Sequence, residues 1–140
     1  FSQDGAQILK DRIAVVLGGG FKTVTNGDVL NTPTNYHINN YFSSTDYTNF
    51  GHIKGAYRIN PLLLADNSYL GLDPTATTKV ATYCYTGQTS AIVSAYLNVL
   101  GYNAFSTSFG RNGLWNQNPA WGTSVNKWSP AMSKNLPLVK

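Results

Sequence analysis

Residues 80–100 constrain the fold of this chain more than any other stretch. Val80, Ala81, Thr82 and Tyr83 form a short run suited to a buried strand. Ala91, Ile92, Ala95, Tyr96, Val99 and Leu100 then recur at helical spacing. Between them lies a tight, glycine-containing loop, Cys84-Tyr85-Thr86-Gly87-Gln88-Thr89-Ser90. A strand that feeds a helix through such a loop is the building unit of an open α/β sheet, and those sheets carry their chemistry at the carboxyl ends of the strands. Cys84, the only cysteine of the chain, stands at that end. Loop amides and the N-terminus of the following helix favour negative charge there, and with it the nucleophilic thiolate. A lone cysteine elsewhere would read as inert packing; this placement makes it a candidate nucleophile.

Composition bounds the remaining possibilities. A chain of 140 residues, 42% hydrophobic, is long enough for one domain with its own core. One cysteine excludes an internal disulfide framework, and with only the distant His37 and His52 beside it a cysteine-based zinc site is excluded too. No apolar run approaches the roughly 18 residues of a membrane span. The net charge of +4 comes from few charges without a basic run, so no nucleic-acid partner is expected. All six acids are Asp, and the surface is rich in Asn, Thr, Ser and Tyr. That composition, with Phe rather than Met at position 1, favours an exported bacterial protein of the periplasm or cell envelope.

The chain reads as a single domain over residues 1–140. Residues 4–17 predict an amphipathic helix with Ala6, Leu9, Ile13, Val16 and Leu17 on one face, Asp4 as its cap and Gly18-Gly19-Gly20 as its stop. A strand follows at 21–24, a brief helix around Val29 and Leu30, and a strand at 36–42. Residues 51–56 form a turn into a strand at 57–59, residues 61–64 a helical turn, and residues 66–78 a loop. Beyond the Cys84 unit, a turn at 101–103 leads to a strand at 104–108 and a last helical turn over 109–115. The tail from 117 to 140, with Pro119, Pro130 and Pro137, is expected to be irregular and pinned to the body by Trp121 and Trp128. Strands alternating with helices predict an open, mostly parallel sheet with helices on both faces.

Three segments resemble the rhodanese, or sulfurtransferase, domain family in its single-domain form. Gly51-His52-Ile53-Lys54-Gly55-Ala56 is similar to its Gly-His-Ile-x-Gly-Ala signature. Residues 83–91, around Cys84, are similar to its active-site loop. Gly101-Tyr102-Asn103 and Gly113-Leu114-Trp115 are similar to its closing region. The resemblance implies a five-stranded sheet and a Cys84 that takes up a sulfane sulfur as a persulfide. The sulfur would then pass to a thiol or cyanide, with no metal or organic cofactor. It also implies that Tyr85, Thr86, Gly87, Gln88, Thr89 and Ser90 cradle the persulfide, and that Lys54 and, more weakly, Arg58 and Arg111 could attract an anionic donor. Read as ordinary residues, those three are solvated surface cations, His52 orders its own turn by hydrogen bonding, and His37 is a strand residue outside the chemistry.

The chain departs from the family pattern at two places. Ile38-Asn39-Asn40-Tyr41-Phe42 replaces the usual Asp-x-Arg, and Thr89 stands where the loop most often has Arg. With Tyr85 and Thr86 in place of basic residues, thiosulfate is expected to bind weakly. The missing Asp-x-Arg also suits a non-catalytic binding or regulatory module on the same fold. A cysteine phosphatase or arsenate reductase is the remote alternative: it needs an Arg six positions after its nucleophile, and position 90 is Ser.

Overall fold

The computed structural model describes residues 2–75 and 77–137. Five strands form one sheet: β1 (Thr23–Val24), β2 (Tyr36–Asn40), β3 (Tyr57–Arg58), β4 (Lys79–Tyr83) and β5 (Asn103–Thr107). Their order is β1-β5-β4-β2-β3, and every pairing is parallel. The helices are α1 (Gly5–Gly19), α2 (Asn26–Asn31), α3 (Ser44–Asn49), α4 (Gln88–Leu100) and α5 (Gly110–Trp115). β4 is central and buried on both sides, which is why residues 80–84 read as a continuous run rather than an alternating one. Its side chains alternate between two cores. Ala81 and Tyr83 face a cluster with Val29 of α2, Phe42, Ile53 and Leu114 of α5. Val80 faces the other side with Val93 and Leu97 of α4, Tyr102, Leu62 and Leu72.

From the centre, the chain runs outward one way after β2, to β3, and the other way after β4, to β5. The carboxyl ends of β2 and β4 therefore flank the point where the connections diverge, the place where open α/β sheets bind ligands. Cys84 leaves β4 at that point.

Several elements differ from the sequence expectation. Asp4 caps α1 as expected, accepting from the Ala6 amide at 2.9 Å, but the apolar face does not enter a core. Leu9, Ile13 and Leu17 are exposed, and no residue of α1 is buried. Arg12 holds the helix instead, donating to the carbonyls of Asn98 (2.6 Å) and Val99 (3.1 Å) near the end of α4, where a cation also meets the negative helix end. Residues 61–64 form no helical turn. The connection makes a turn through Asn67, in the left-handed region, and then a 3-10 helix at Ser68–Gly71. β2 stops at Asn40 because the Asn40 side chain accepts from the Phe42 amide (2.8 Å), while Arg58 and Asn60 donate to the Phe42 carbonyl (3.0 and 2.9 Å). The tail contains two short 3-10 turns, Pro119–Trp121 and Pro130–Met132. Trp121 is fully buried as expected. Trp128 is held by its backbone, with its ring half exposed. Residues 138–140 of the expected tail lie outside the described residues. Among the described residues no helix is long and apolar enough to cross a membrane.

The two asparagines that replace the Asp-x-Arg pattern are buried and do structural work without charge. Asn39 accepts from the Ile59 amide (3.1 Å), and Asn40 donates to the Tyr83 hydroxyl (2.7 Å). That hydroxyl also accepts from the Ile53 amide (3.2 Å). Burial pushes its pKa up to about 12, from 10.0. The folded state therefore keeps the phenol proton where the unfolded chain loses it. Its contribution to stability is complete below about pH 10 and lost as the pH rises through about 12. Denaturant midpoints should fall over that window, and Tyr83→Phe should flatten the fall.

Candidate active site

Two backbone amides point at the Cys84 sulfur. Gly87 N lies 3.2 Å from Sγ and Ser90 N lies 3.4 Å from it. The loop can fold this tightly because Gly87 adopts φ +94°, as the cap of α4. A Cβ at Gly87 would also press on the backbone of Phe109, 3.1 Å from its nitrogen. The first bond of α4 runs from Ala91 N to Gly87 O, so the amides of Gln88 and Thr89, in its first turn, have no carbonyl partner within the helix. The sulfur thus sits in a concave array of N–H groups at a helix N-terminus, the arrangement that holds an anion.

Side chains complete the pocket. Ser90 is buried, with its hydroxyl 3.7 Å from Sγ, 2.8 Å from the Ser106 hydroxyl and 3.0 Å from the Gly87 carbonyl. Ser106, on β5, has no marker in the sequence; only its register beside β4, opposite Thr82, brings it here. Cys84 is itself 2% exposed. Thr86 and Gln88 form the outer rim, bonded to each other at 2.6 Å, and Thr89 is exposed.

The loop is tied down from behind by α5. The Cys84 carbonyl accepts from Arg111 N (2.9 Å), and the Tyr85 carbonyl accepts from Asn112 N and from the Asn112 side chain (both 3.2 Å). Tyr85 belongs to the loop, but its ring turns away from the sulfur. It stacks on Phe42 with centroids 4.5 Å apart, donates to Asp46 and accepts from Ser43 N. Burial and the Asp46 hydrogen bond both raise the pKa of its hydroxyl. Tyr85 therefore anchors the loop rather than lining it.

The cations named from the sequence do not converge on the sulfur. Lys54 is exposed in the turn that enters β3, at the amino end of the strands, whereas Cys84 leaves at the carboxyl end. The Arg58 guanidinium is engaged by the Phe42 and Asn60 carbonyls (3.0 and 2.8 Å). Arg111 is no surface residue. It is 1% exposed, donates to the Gly51 carbonyl (3.0 Å) and lies 5.1 Å from the ring centres of both Trp115 and Trp121. It joins α5 to the turn at Gly51, a cation held over aromatic faces. His52 bonds to the Tyr47 carbonyl (3.2 Å) and stacks on the Tyr47 ring, a structural role as expected. His37 sits in β2, away from Cys84. Among the described residues no three His, Cys, Asp or Glu side chains gather as a metal site would require.

Residues 37–114 match the model of the rhodanese-like domain family. No match is found among curated proteins. Solved structures share the fold. A rhodanese-like domain protein from Staphylococcus aureus is 20% identical with a TM-score of 0.58, over 67% of this chain and 91% of that one. A rhodanese-related protein from Thermoplasma volcanium is 19% identical with a TM-score of 0.61, over 70% and 94%. A protein of unknown function from Rhodopseudomonas palustris, described as a possible tyrosine phosphatase, is 16% identical with a TM-score of 0.54, over 81% and 91%.

Proposed function

The chain belongs to the rhodanese-like domain family, and we propose that within it the protein is a sulfurtransferase or sulfur carrier working through a Cys84 persulfide. The observation that carries this reading is the pair of amides, Gly87 N and Ser90 N, aimed at the sulfur at the start of α4. The thiolate attacks the outer sulfur of a sulfane donor. The bond from that sulfur to the rest of the donor breaks, and the donor residue leaves with the electron pair. The transferred sulfur becomes the terminal atom of a Cys84 persulfide, whose negative charge the preorganised amides stabilise. An acceptor thiol or cyanide then attacks that terminal atom, and Cys84 departs as thiolate. These steps call for no metal or organic cofactor.

The phosphatase and arsenate reductase reading finds less support. Position 90, where such a loop would present its oxyanion-binding Arg, is a buried serine, and the Arg111 side chain is committed to the Gly51 carbonyl. Among the described residues Lys54, Arg58 and Arg111 supply no cation to the cradle, which argues against thiosulfate as the preferred donor, since capture of a dianion gains about 1.5–3 kcal/mol from each charged hydrogen bond in a closed pocket.

Mass spectrometry tests the proposal. Wild-type protein incubated with polysulfide should gain the mass of one sulfur atom on Cys84, reversed by a thiol or cyanide. Cys84→Ser should gain none, yet unfold within a few degrees of wild type, because both amides can still donate to the serine oxygen. A wild-type protein that takes up no sulfur would leave the binding-module reading in its place.

A further inference from the structure

Beside the loop lies a cleft of about 780 Å³, within the usual size range of small-molecule sites. Its rim on the loop side is Thr86 and Gln88, the residues on either side of Gly87, whose amide holds the Cys84 sulfur. Its other walls are Phe109 at the start of α5, and Val125, Trp128 and Met132 from the tail. The lining carries amide, hydroxyl and apolar groups, and no charged side chain among the described residues. The family match ends at residue 114, so the tail wall lies outside it.

Two features show that this cleft is built rather than incidental. Asn112 uses its whole side-chain amide to join the loop to the tail. Its nitrogen donates to the Tyr85 and Asn126 carbonyls (3.2 and 2.8 Å), and its oxygen accepts from Trp128 N and Trp121 Nε1 (2.8 and 3.2 Å). The second feature is Phe109. It sits at φ +59° with 72% of its surface exposed. A bulky residue in the left-handed region is strained, and such strain gathers at ligand sites. Glycine would relieve it, and nothing in the core needs the ring.

We propose that this cleft holds the organic group R of the molecule that exchanges sulfur with Cys84, a thiol R–SH or its persulfide R–S–SH, with R uncharged and aromatic or branched-apolar. The proposal rests on the persulfide reading. A charged R would lose hydration against apolar walls without gaining a partner, whereas an aromatic R would lie between Phe109 and Trp128 with its sulfur directed into the loop. As donor, R–S–SH gives its outer sulfur to the Cys84 thiolate and leaves as R–S⁻. As acceptor, R–SH reacts with the persulfide anion at its terminal sulfur. The Cys84–sulfur bond breaks, Cys84 leaves as thiolate with the electron pair, and the thiol proton ends on R–S–SH.

Paired probes with one reacting group and different R separate these roles. In the donor arm, benzenethiosulfonate is compared with methanethiosulfonate; each transfers one sulfur and leaves as the sulfinate. In the acceptor arm, preformed persulfide reacts with benzyl mercaptan or 2-mercaptoethanol. We expect kcat/KM to favour the aromatic partner by about tenfold or more in at least one arm, and that arm assigns R to donor or acceptor. The preference should fall towards unity in Phe109→Gly, which the backbone accepts, and in Trp128→Ala. Equal rates in both arms, or a preference that neither substitution changes, would overturn the proposal and leave the persulfide reading standing. Binding to Cys84→Ser keeps the two claims separate. Benzenesulfinate should bind it more tightly than methanesulfinate, and Phe109→Gly should erase the difference. If wild type takes sulfur from neither donor but this binding difference is present, the cleft binds an aromatic group, while the persulfide reading, and with it the sulfur-exchange role of that group, is wrong. If the binding difference is absent as well, both fail.

Discussion

Gly110→Ala should cut sulfur transfer by about a hundredfold or more and destabilise the protein by about 2–5 kcal/mol, although residue 110 reaches no substrate. Gly110 lies at φ +52°, and a Cβ there would stand 2.4 Å from the Cys84 carbonyl oxygen and 2.9 Å from the Gly87 nitrogen. Both are backbone atoms of the loop, so the crowding cannot be relieved by turning a side chain. The left-handed backbone costs an alanine about 1–2 kcal/mol, and forced overpacking adds about 1–3 kcal/mol. The Gly87 amide is also one of the two that hold Sγ. Pushing it aside therefore misplaces the cradle, and a shift of about 1 Å in a reacting geometry can cost about a hundredfold. Gly55→Ala is the control. Gly55 has φ +83° with no atom within 4 Å of its would-be Cβ, so that variant should show only the backbone cost, with its rate of persulfide formation unchanged. A folded Gly110→Ala protein that forms persulfide at the wild-type rate would show that the contact between α5 and the loop does not set the cradle.

That contact marks the boundary of what the sequence discloses. The β4–loop–α4 unit is legible because its signals are local: an apolar run, one glycine and a helical period lie within about twenty residues, and the only cysteine falls between them. The fold class follows from the same alternation, and the parallel five-stranded sheet is as expected. The errors come where distant segments meet. Arg111 reads as a surface cation because only Trp115, one turn later on α5, is its sequence neighbour; Phe50 and Trp121, which close its other sides, come from separate segments. Lys54 is named on the family resemblance, although a turn that enters a strand of a parallel sheet lies at the amino end, opposite Cys84. The apolar face of α1 has the period of a buried helix, yet α1 packs on α4, and of its periodic residues Leu9, Ile13 and Leu17 stay exposed while Val16 is half-buried. Asn39 and Asn40 look like a loss of the family pattern, whereas both are buried and accept from backbone amides, those of Ile59 and Phe42. The cleft walls, residues 109, 125, 128 and 132, have no period at all, so only the fold of the tail assembles them.

Trp121→Ala should lower stability by about 3–5 kcal/mol and release the tail from the domain. Trp121 is fully buried. Its ring lies nearly parallel to those of Tyr85 (6.0 Å) and Phe42 (6.4 Å), edge-on to Phe50 (5.2 Å) and beside the Arg111 guanidinium. Removing it leaves a cavity that the neighbouring rings cannot fill without unstacking, and takes one aromatic face from a buried cation, worth up to about 2 kcal/mol when desolvated. The indole N–H bond to Asn112 is lost too, so the side chain that joins the Tyr85 carbonyl to the tail has one partner fewer. Two consequences should appear together: a lower denaturation midpoint, and faster proteolytic cleavage within residues 116–137 while the sheet remains intact. Trp121→Phe separates the contributions, since it retains most of the stacking and loses only the N–H and part of the ring. It should cost about 1–2 kcal/mol, near the value of one buried hydrogen bond with a small volume change. If Trp121→Ala were as stable as wild type and its tail as resistant to protease, the tail would add no packing to the domain. The cleft beside Cys84 would then lack the anchored wall on which its selectivity depends.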